Sequence, residues 1–353
     1  NTPKLREFVS ELKRLKIKII RPSINYSHAD FKTEKNIIYY GLGAIKNVGF
    51  EAISNIVNER EKNGKFKSLN DFINRVDSKD VNKLQLEGLV KAGVFDEFET
   101  DRNKILNSIP KIIQKIKNIN DDKFKNQSSL FDGVSDMKTD FELDESSTWS
   151  KKELLSEEFK SLGFYISDHP LTEYMEIFNQ LKISSYKEFL NSKENEAQVA
   201  GTIMSIQEKK SAKGTPFAII KFSDIQGEFE LFLFAENLVE NREKLKESES
   251  FVMTLQKDKS NISQSNVRTN IRKILSLDDI INKPYSNVTI ELNEECDMND
   301  LNKCLKKEGE TQVNLIIHNN KKKIYYNLQN LRKFDFNHLK TIKNKKYVKK
   351  ITF

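Results

Sequence analysis

Apolar residues recur at helical spacing through most of the first 190 positions and at alternate positions after about residue 196, so the chain has a helical part followed by a strand-rich part. Leu5, Phe8, Val9, Leu12 and Leu15 predict a helix over 3–16, with Pro3 suited to its first turn. "IKIIRPSIN" reads as a short strand stopped by Pro22, and "NIIYYGLGAIKNVG" (36–49) as a strand entering a glycine-punctuated turn. A helix follows with Phe50, Ile53, Ile56, Val57 and Arg60 on its faces, closed by Gly64. Ser68 and Asp71 predict a capping box, Gly93 ends another short helix, and a longer helix is predicted over 102–117. After a polar tract, "SKKELLSEEFKSLGFYISDHPL" resumes the helical period through about residue 190.

From Glu196 the order is three strands, a helix ("AENLVENREKLK") and two strands, which are the elements of an OB barrel. A last unit, 284–353, runs strand, helix, strand, strand, short helix and reads as a small α+β module. The expected fold class is therefore α+β and multidomain, with a helical region, a five-stranded OB barrel and a C-terminal module.

In "KNQSSLFDG" (125–133) Leu130 and Phe131 stand together in a polar run, and from Asp132 to Glu145 six acidic residues face one lysine. Such a segment buries too little apolar surface to order itself. Gln127, Leu130 and Phe131 fit an extended peptide whose glutamine hydrogen-bonds while the leucine and ring fill an apolar pocket. The same pair would equally serve as a local contact with the protein's own surface.

Charged residues make up 31% of the chain and apolar ones 37%, the balance of a globular protein with much surface. The chain opens on Asn1, as expected of a processed product or a piece of a longer one. Charge is uneven: residues 319–353 hold eleven Lys and Arg against one Asp, a tail suited to a phosphate backbone, to an acidic partner, or simply to solvent. Cys296 and Cys304 form no Cys-x-x-Cys, so neither a zinc site nor a disulfide framework is expected. No apolar run reaches the roughly 18 residues of a membrane span, and no signal peptide is visible; a cytoplasmic setting is expected.

"GLGAIKNVG" begins like a dinucleotide turn, but Lys46 stands where the third glycine would be. It also fits a helix-hairpin-helix turn, in which glycines bring main-chain N–H groups to a nucleic-acid phosphate and Lys46 and Asn47 add contacts. A tight turn needing glycine for its φ angles alone would look the same. In the barrel, Lys209, Lys210 and Lys213 lie in the first loop, and Phe217, Phe222, Phe229, Phe232 and Phe234 on the strands. Lysines beside aromatic faces suit a sequence-tolerant reader of single strands, with about half the rings turned into the core. Phe222 and Phe232 are the expected stacking residues. There is no Walker loop, Gly-x-Ser-x-Gly or His-Glu-x-x-His, and the adjacent carboxylates Asp121–Asp122 and Asp278–Asp279 read as solvated caps. No catalytic residue, metal site or cofactor is expected in this chain.

Together these stretches resemble the C-terminal part of the alpha subunit of bacterial DNA polymerase III, a C-family replicative polymerase. "YYGLGAIKNVGFEAISNIVNER" with "LQLEGLVKAGVFD" is similar to that family's helix-hairpin-helix region, "QSSLF" to its internal clamp-binding motif, and "EEFKSLGFYISDHPL" to the segment before its OB domain. The resemblance weakens after about residue 284.

It implies the following organisation. Residues 1–35 would end the fingers, and 36–118 would bind duplex DNA through Gly41, Gly43, Lys46, Asn47 and Gly49. Residues 119–150 would be a linker whose Gln127, Leu130 and Phe131 dock in the sliding clamp. Residues 151–195 would be a helical connector, 196–283 an OB domain on single-stranded template, and 284–353 a module facing other proteins, the clamp loader among them. Magnesium-dependent nucleotidyl transfer would belong to the full-length polymerase, whose palm has no counterpart here. A stand-alone hairpin/OB protein of repair or RNA metabolism is the competing reading.

Overall fold

The structure, a computed structural model, describes residues 4–5, 8–9, 11–12, 15–128, 141–258, 268–319 and 322–353. The chain divides into two compact units, Asn1–Thr172 and Glu173–Phe353. This division cuts through the segment expected to be one connector.

In the first unit β1 (Lys18–Ile20) pairs parallel with β3 (Ile37–Tyr39), and β2 (Lys32–Glu34) pairs antiparallel on the other side of β3. A single 3-10 turn at Leu42–Ala44 leads into helix α1, Phe50–Asn63. α1 buries Ile53, Ile56, Val57 and Arg60 and ends at Gly64, whose φ of 83° is open to glycine alone at little cost. α2 (Leu69–Arg75) is capped by Ser68, whose hydroxyl accepts the Asp71 N–H. α3 (Lys83–Lys91) is capped in the same way by Asn82. α4 runs from Arg102 to Ser128 with Pro110 inside it, well past the predicted stop near 117. Phe66, Phe72 and Phe95 form the aromatic centre of this unit, with rings 5.0–5.3 Å apart. α5 (Lys151–Leu162) begins with a full capping box of Ser150 and Glu153 and ends at Gly163, φ 85°.

In the second unit α6 (Met175–Gln180) and α7 (Tyr186–Asn191) precede a five-stranded sheet in the order β6-β5-β4-β7-β8. Its strands are β4 (Glu196–Lys210), β5 (Pro216–Ser223), β6 (Glu228–Phe234), β7 (Ser250–Lys257) and β8 (Thr269–Ser276), with α8 (Ala235–Asn241) after β6. All neighbours are antiparallel. No ladder joins β6 to β8 among the described residues, so the sheet is open and the expected closed barrel is not what forms. A cavity of about 480 Å³ lies there instead, lined by Glu230, Phe232 and Phe234 of β6 and by Arg268, Thr269 and Asn270 at the start of β8.

After α9 (Leu277–Ile281), the chain builds a four-stranded sheet from β9 (Asn287–Leu292), β10 (Glu308–Asn319), β11 (Lys322–Asn327) and β12 (Val348–Thr352), ordered β11-β10-β9-β12. α10 (Met298–Cys304) makes the crossover between the parallel pair β9 and β10, and α11 (Phe336–Lys343) precedes β12, a strand the sequence reading did not contain. Val288, Ile290, Leu292, Val313 and Leu315 are buried, as are Leu301, Leu339 and Ile342 of the two helices. α11 is also tied to residues 173–176: Lys340 donates to Glu173 at 2.8 Å, Lys343 to Glu176 at 2.5 Å, and the rings of Tyr174 and Phe336 are 5.5 Å apart.

Candidate nucleic-acid interface

The turn between β3 and α1 has an inner and an outer side. Gly41 and Gly43 are on the inner one. A Cβ at Gly41 would lie 2.7 Å from the Asp30–Phe31 main chain, and one at Gly43 would lie 2.9 Å from the Ala29 carbonyl. The Gly43 N–H donates to that same carbonyl at 2.9 Å, and the Leu42 N–H donates to His28 O at 2.8 Å. Both glycines therefore admit the protein's own 28–31 segment. This corrects the expectation that they line a phosphate: Gly41 is buried and the Gly43 N–H is already used.

The outer side holds Lys46, Asn47 and Gly49, all exposed. Asn47 adopts φ 66°, a left-handed conformation that asparagine tolerates better than most residues. Lys46 pairs with no carboxylate among the described residues. Gly49 is the N-cap of α1, no side chain caps that helix, and a Cβ at Gly49 would meet nothing within 4 Å. The first-turn N–H groups and the positive end of a 14-residue helix thus open to solvent beside a lysine, which is an anion-binding arrangement. Glu51 is the acidic residue in that turn, and Phe50 is 57% exposed next to it.

Buried polar groups fix this turn. Arg60 of α1, 6% exposed, donates to the Ile24 and Ser27 carbonyls at 2.8 and 2.5 Å, which holds the loop against which Gly41 and Gly43 pack. Burial lowers the Arg60 pKa. Burial, with Lys32 and Arg60 nearby, also holds His28 below its ordinary value and favours the neutral ring. The Lys46 N–H donates to Ser161 O of α5 at 3.1 Å, and Ser161 Oγ donates to Gly88 O of α3 at 2.8 Å. At the second hairpin, between α3 and α4, Gly93 takes φ 79° and Arg102 fills the space beside it. Arg102 donates to both oxygens of Asp96, at 2.8 and 2.6 Å, and to Lys91 O, and lies 3.7 Å from the buried Glu158. Gly88, Arg102, Glu158 and Ser161 were not foreseen as supports. Gly88, Glu158 and Ser161 were marked only by their position in the motif-like stretches "LEGLVKAG" and "EEFKSLGF", and Arg102 only as the start of a predicted helix.

In the five-stranded sheet the register decides which aromatics face outward. Ala218, Ile220 and Phe222 point into the core with Phe229, Leu231 and Leu233. Phe222, expected to stack on a base, is instead fully buried, with its ring 5.6 Å from that of Phe229, and has no face to offer. The opposite face carries cross-strand rows: Lys209, Phe217 and Phe234 in one, Gln207, Ile219 and Phe232 in the next. Phe232 is 43% and Phe234 57% exposed, and the Phe217 and Phe232 rings are 6.4 Å apart. Lys209 and Lys210 end β4, and Lys213 lies in the following turn before Gly214, φ 81°. All three are exposed and pair with no carboxylate among the described residues.

Gln127 lies in the last turn of α4, a helical and not an extended setting, while Leu130 and Phe131 fall outside the described residues. Among the described residues no three His, Cys, Asp or Glu side chains come together as metal ligands, and no helix is long and apolar enough to cross a membrane.

Residues 16–105 match the family model of the helix-hairpin-helix motif, a span that contains both hairpins. The chain is similar to the DNA polymerase III subunit alpha of Caulobacter vibrioides, 33% identical over 248 residues, covering 69% of this chain and 22% of that protein. Its counterpart in Borreliella burgdorferi is 32% identical over 246 residues, covering 67% and 21%. That of Rickettsia prowazekii is 30% identical over 325 residues, covering 80% and 27%. The chain thus spans about a fifth to a quarter of the length of these relatives. By this likeness the chain belongs to the family of DNA polymerase III alpha subunits, and the part it matches is consistent with their C-terminal region.

Proposed function

We propose that the chain is a DNA-holding part of a replicative polymerase and does not itself perform nucleotidyl transfer. The observation that carries this reading is the outer side of the first hairpin: a helix N-terminus with no side-chain cap, open at Gly49, beside the exposed Lys46, which pairs with no carboxylate among the described residues. A duplex phosphate placed there would accept from main-chain N–H groups without any base being read, as a polymerase of any template requires. The open sheet would hold single-stranded template, with bases on Phe232 and Phe234 and phosphates at Lys209, Lys210 and Lys213. Its strand order, with one central strand flanked by both hairpins, supports an OB-like assignment. Gln127, Leu130 and Phe131 would tether the sliding clamp, and residues 284–353 would meet the clamp loader. Magnesium and the carboxylates that bind it would be supplied by the longer protein.

Two titrations test this. Binding of the chain to a primed duplex with a single-stranded overhang is followed against salt, where phosphate neutralisation gives a steep negative slope. Binding to the bacterial sliding clamp is measured by calorimetry beside a Leu130→Ala/Phe131→Ala variant. Salt-independent DNA binding would remove the polymerase-like interface, and clamp binding that survives the double substitution would remove the tether.

A further inference from the structure

β11 is the outermost strand of the C-terminal sheet, with β10 on one side and no described strand on the other. All six of its residues are exposed, and three consecutive ones are large and apolar: Ile324 at 38%, Tyr325 at 69% and Tyr326 at 53%. A strand edge of this kind is normally shortened, bulged, interrupted or filled with charge. Here only Lys322 and Lys323 serve that end, and the apolar centre is left bare.

The ladder tells which main-chain groups are open. The Leu328 N–H donates to Val313 O, so the alternation of an antiparallel pair turns Tyr326 and Ile324 toward β10. The N–H and C=O groups of Lys323, Tyr325 and Asn327 then point away from the sheet. Side chains follow their partners: Tyr326 lies opposite buried Leu315 on the helix-covered face, and Tyr325 opposite Ile316 on the other. The two tyrosines thus lie on opposite faces. They cannot form one platform for stacked bases, but they can flank a strand added at the edge, one above and one below. The charge on and just after the edge selects that strand: residues 322–334 carry Lys322, Lys323, Arg332 and Lys333 and no acidic residue. Lys322, unlike Lys323 and Lys333, pairs with no carboxylate among the described residues.

We propose that the β11 edge binds an acidic, extended segment of a partner protein by β-strand addition. Main-chain hydrogen bonds to Lys323, Tyr325 and Asn327 would give the register. Tyr325 and Tyr326 would pack against the added strand on either face, and Lys322 would face its carboxylates, Lys323 being paired with Glu291 at 3.3 Å. This proposal stands on the C-terminal sheet and would survive the loss of the DNA and clamp assignments above.

The test titrates the full chain with a synthetic alternating Glu-Val peptide matched to the length of β11. It is run beside the same peptide N-methylated at alternate residues, an alternating Lys-Val peptide, and oligo-dT. The expected result is saturable binding of the Glu-Val peptide, with amide shifts confined to β11 and its flanks. Binding should be at least tenfold weaker for the N-methylated and Lys-Val peptides and for Tyr325→Glu/Tyr326→Glu. Both tyrosines are at the surface, and a matching circular dichroism spectrum confirms that the variant folds. No binding of the Glu-Val peptide, or equal binding of its N-methylated form, overturns the proposal. Oligo-dT binding that depends on the two tyrosines also overturns it and makes the edge a nucleic-acid contact.

Discussion

Ser161 holds Lys46 through the main chain: its carbonyl accepts the Lys46 N–H at 3.1 Å while its hydroxyl donates to Gly88 O at 2.8 Å. One serine on α5 thereby fixes the hairpin turn and the neighbouring helix α3 together. The same junction explains Gly88, where a Cβ would lie 2.6 Å from the Lys46 carbonyl. Gly88→Ala must displace main chain on one side or the other, and is expected to cost about 1–3 kcal/mol of stability. Urea unfolding measures that loss, and DNA affinity should fall with it. Gly49→Ala meets no atom within 4 Å at an ordinary φ of −74° and should leave the unfolding midpoint almost unchanged.

Lys46 separates stability from binding. Its side chain is exposed, so Lys46→Ala should unfold like the native chain. Removing one phosphate contact should weaken binding to duplexes of every sequence alike and reduce the log–log salt slope by about 1. Fluorescence anisotropy at several salt concentrations reads both.

The two phenylalanine sets of the sheet should behave oppositely. Phe222→Ala opens a void in a closed core and is expected to cost about 3–5 kcal/mol of stability. Phe232→Ala and Phe234→Ala should leave stability nearly intact and weaken single-strand binding by about 1–3 kcal/mol per lost stack. Thermal melts and oligo-dT titrations of the three variants discriminate.

Asp335 gives the C-terminal module a dependence on acid. It caps α11, accepting from the Asn337 and His338 N–H groups at 3.0 and 3.2 Å, and contacts His338 Nδ1 at 2.8 Å. Burial alone would raise its pKa. The hydrogen bonds from the His338 side chain and main chain outweigh that and hold it below its ordinary value of 3.8. A carboxylate depressed in the folded state adds stability that is complete above its unfolded pKa and is lost as pH falls through the folded one. Asp335→Asn should therefore cost about 1 kcal/mol at neutral pH, with the gap to the native chain closing below about pH 4. Urea midpoints across that range check the sign.

Strong local signals were legible in the sequence. Gly64 and the Ile53, Ile56, Val57 pattern bounded α1 at both ends, because a glycine stop and an apolar stripe are local facts. α4 was read too short because "NINDDKFKNQS" carries few apolar residues, yet its backbone continues the helix. β12 was missed because "VKKIT" has two lysines and half-buried apolar positions, and it becomes a strand only by pairing with β9. Phe222 was misjudged even though the alternation Ala218, Ile220, Phe222 was visible. Which face turned inward became definite only when β4 and β6 lay on either side. Sheet closure is a relation between β6 and β8, residues some forty positions apart, and no short window contains it.

The length of α4 bears on reach. Twenty-seven helical residues advance about 40 Å along the axis, so Gln127 is set off from Arg102 and the second hairpin by a stiff spar. A partner gripping the residues just beyond it would be held at a standoff set by the length of that spar. The local concentration of one partner for the other would then follow from geometry, and shortening α4 by whole turns would detune it without touching either contact.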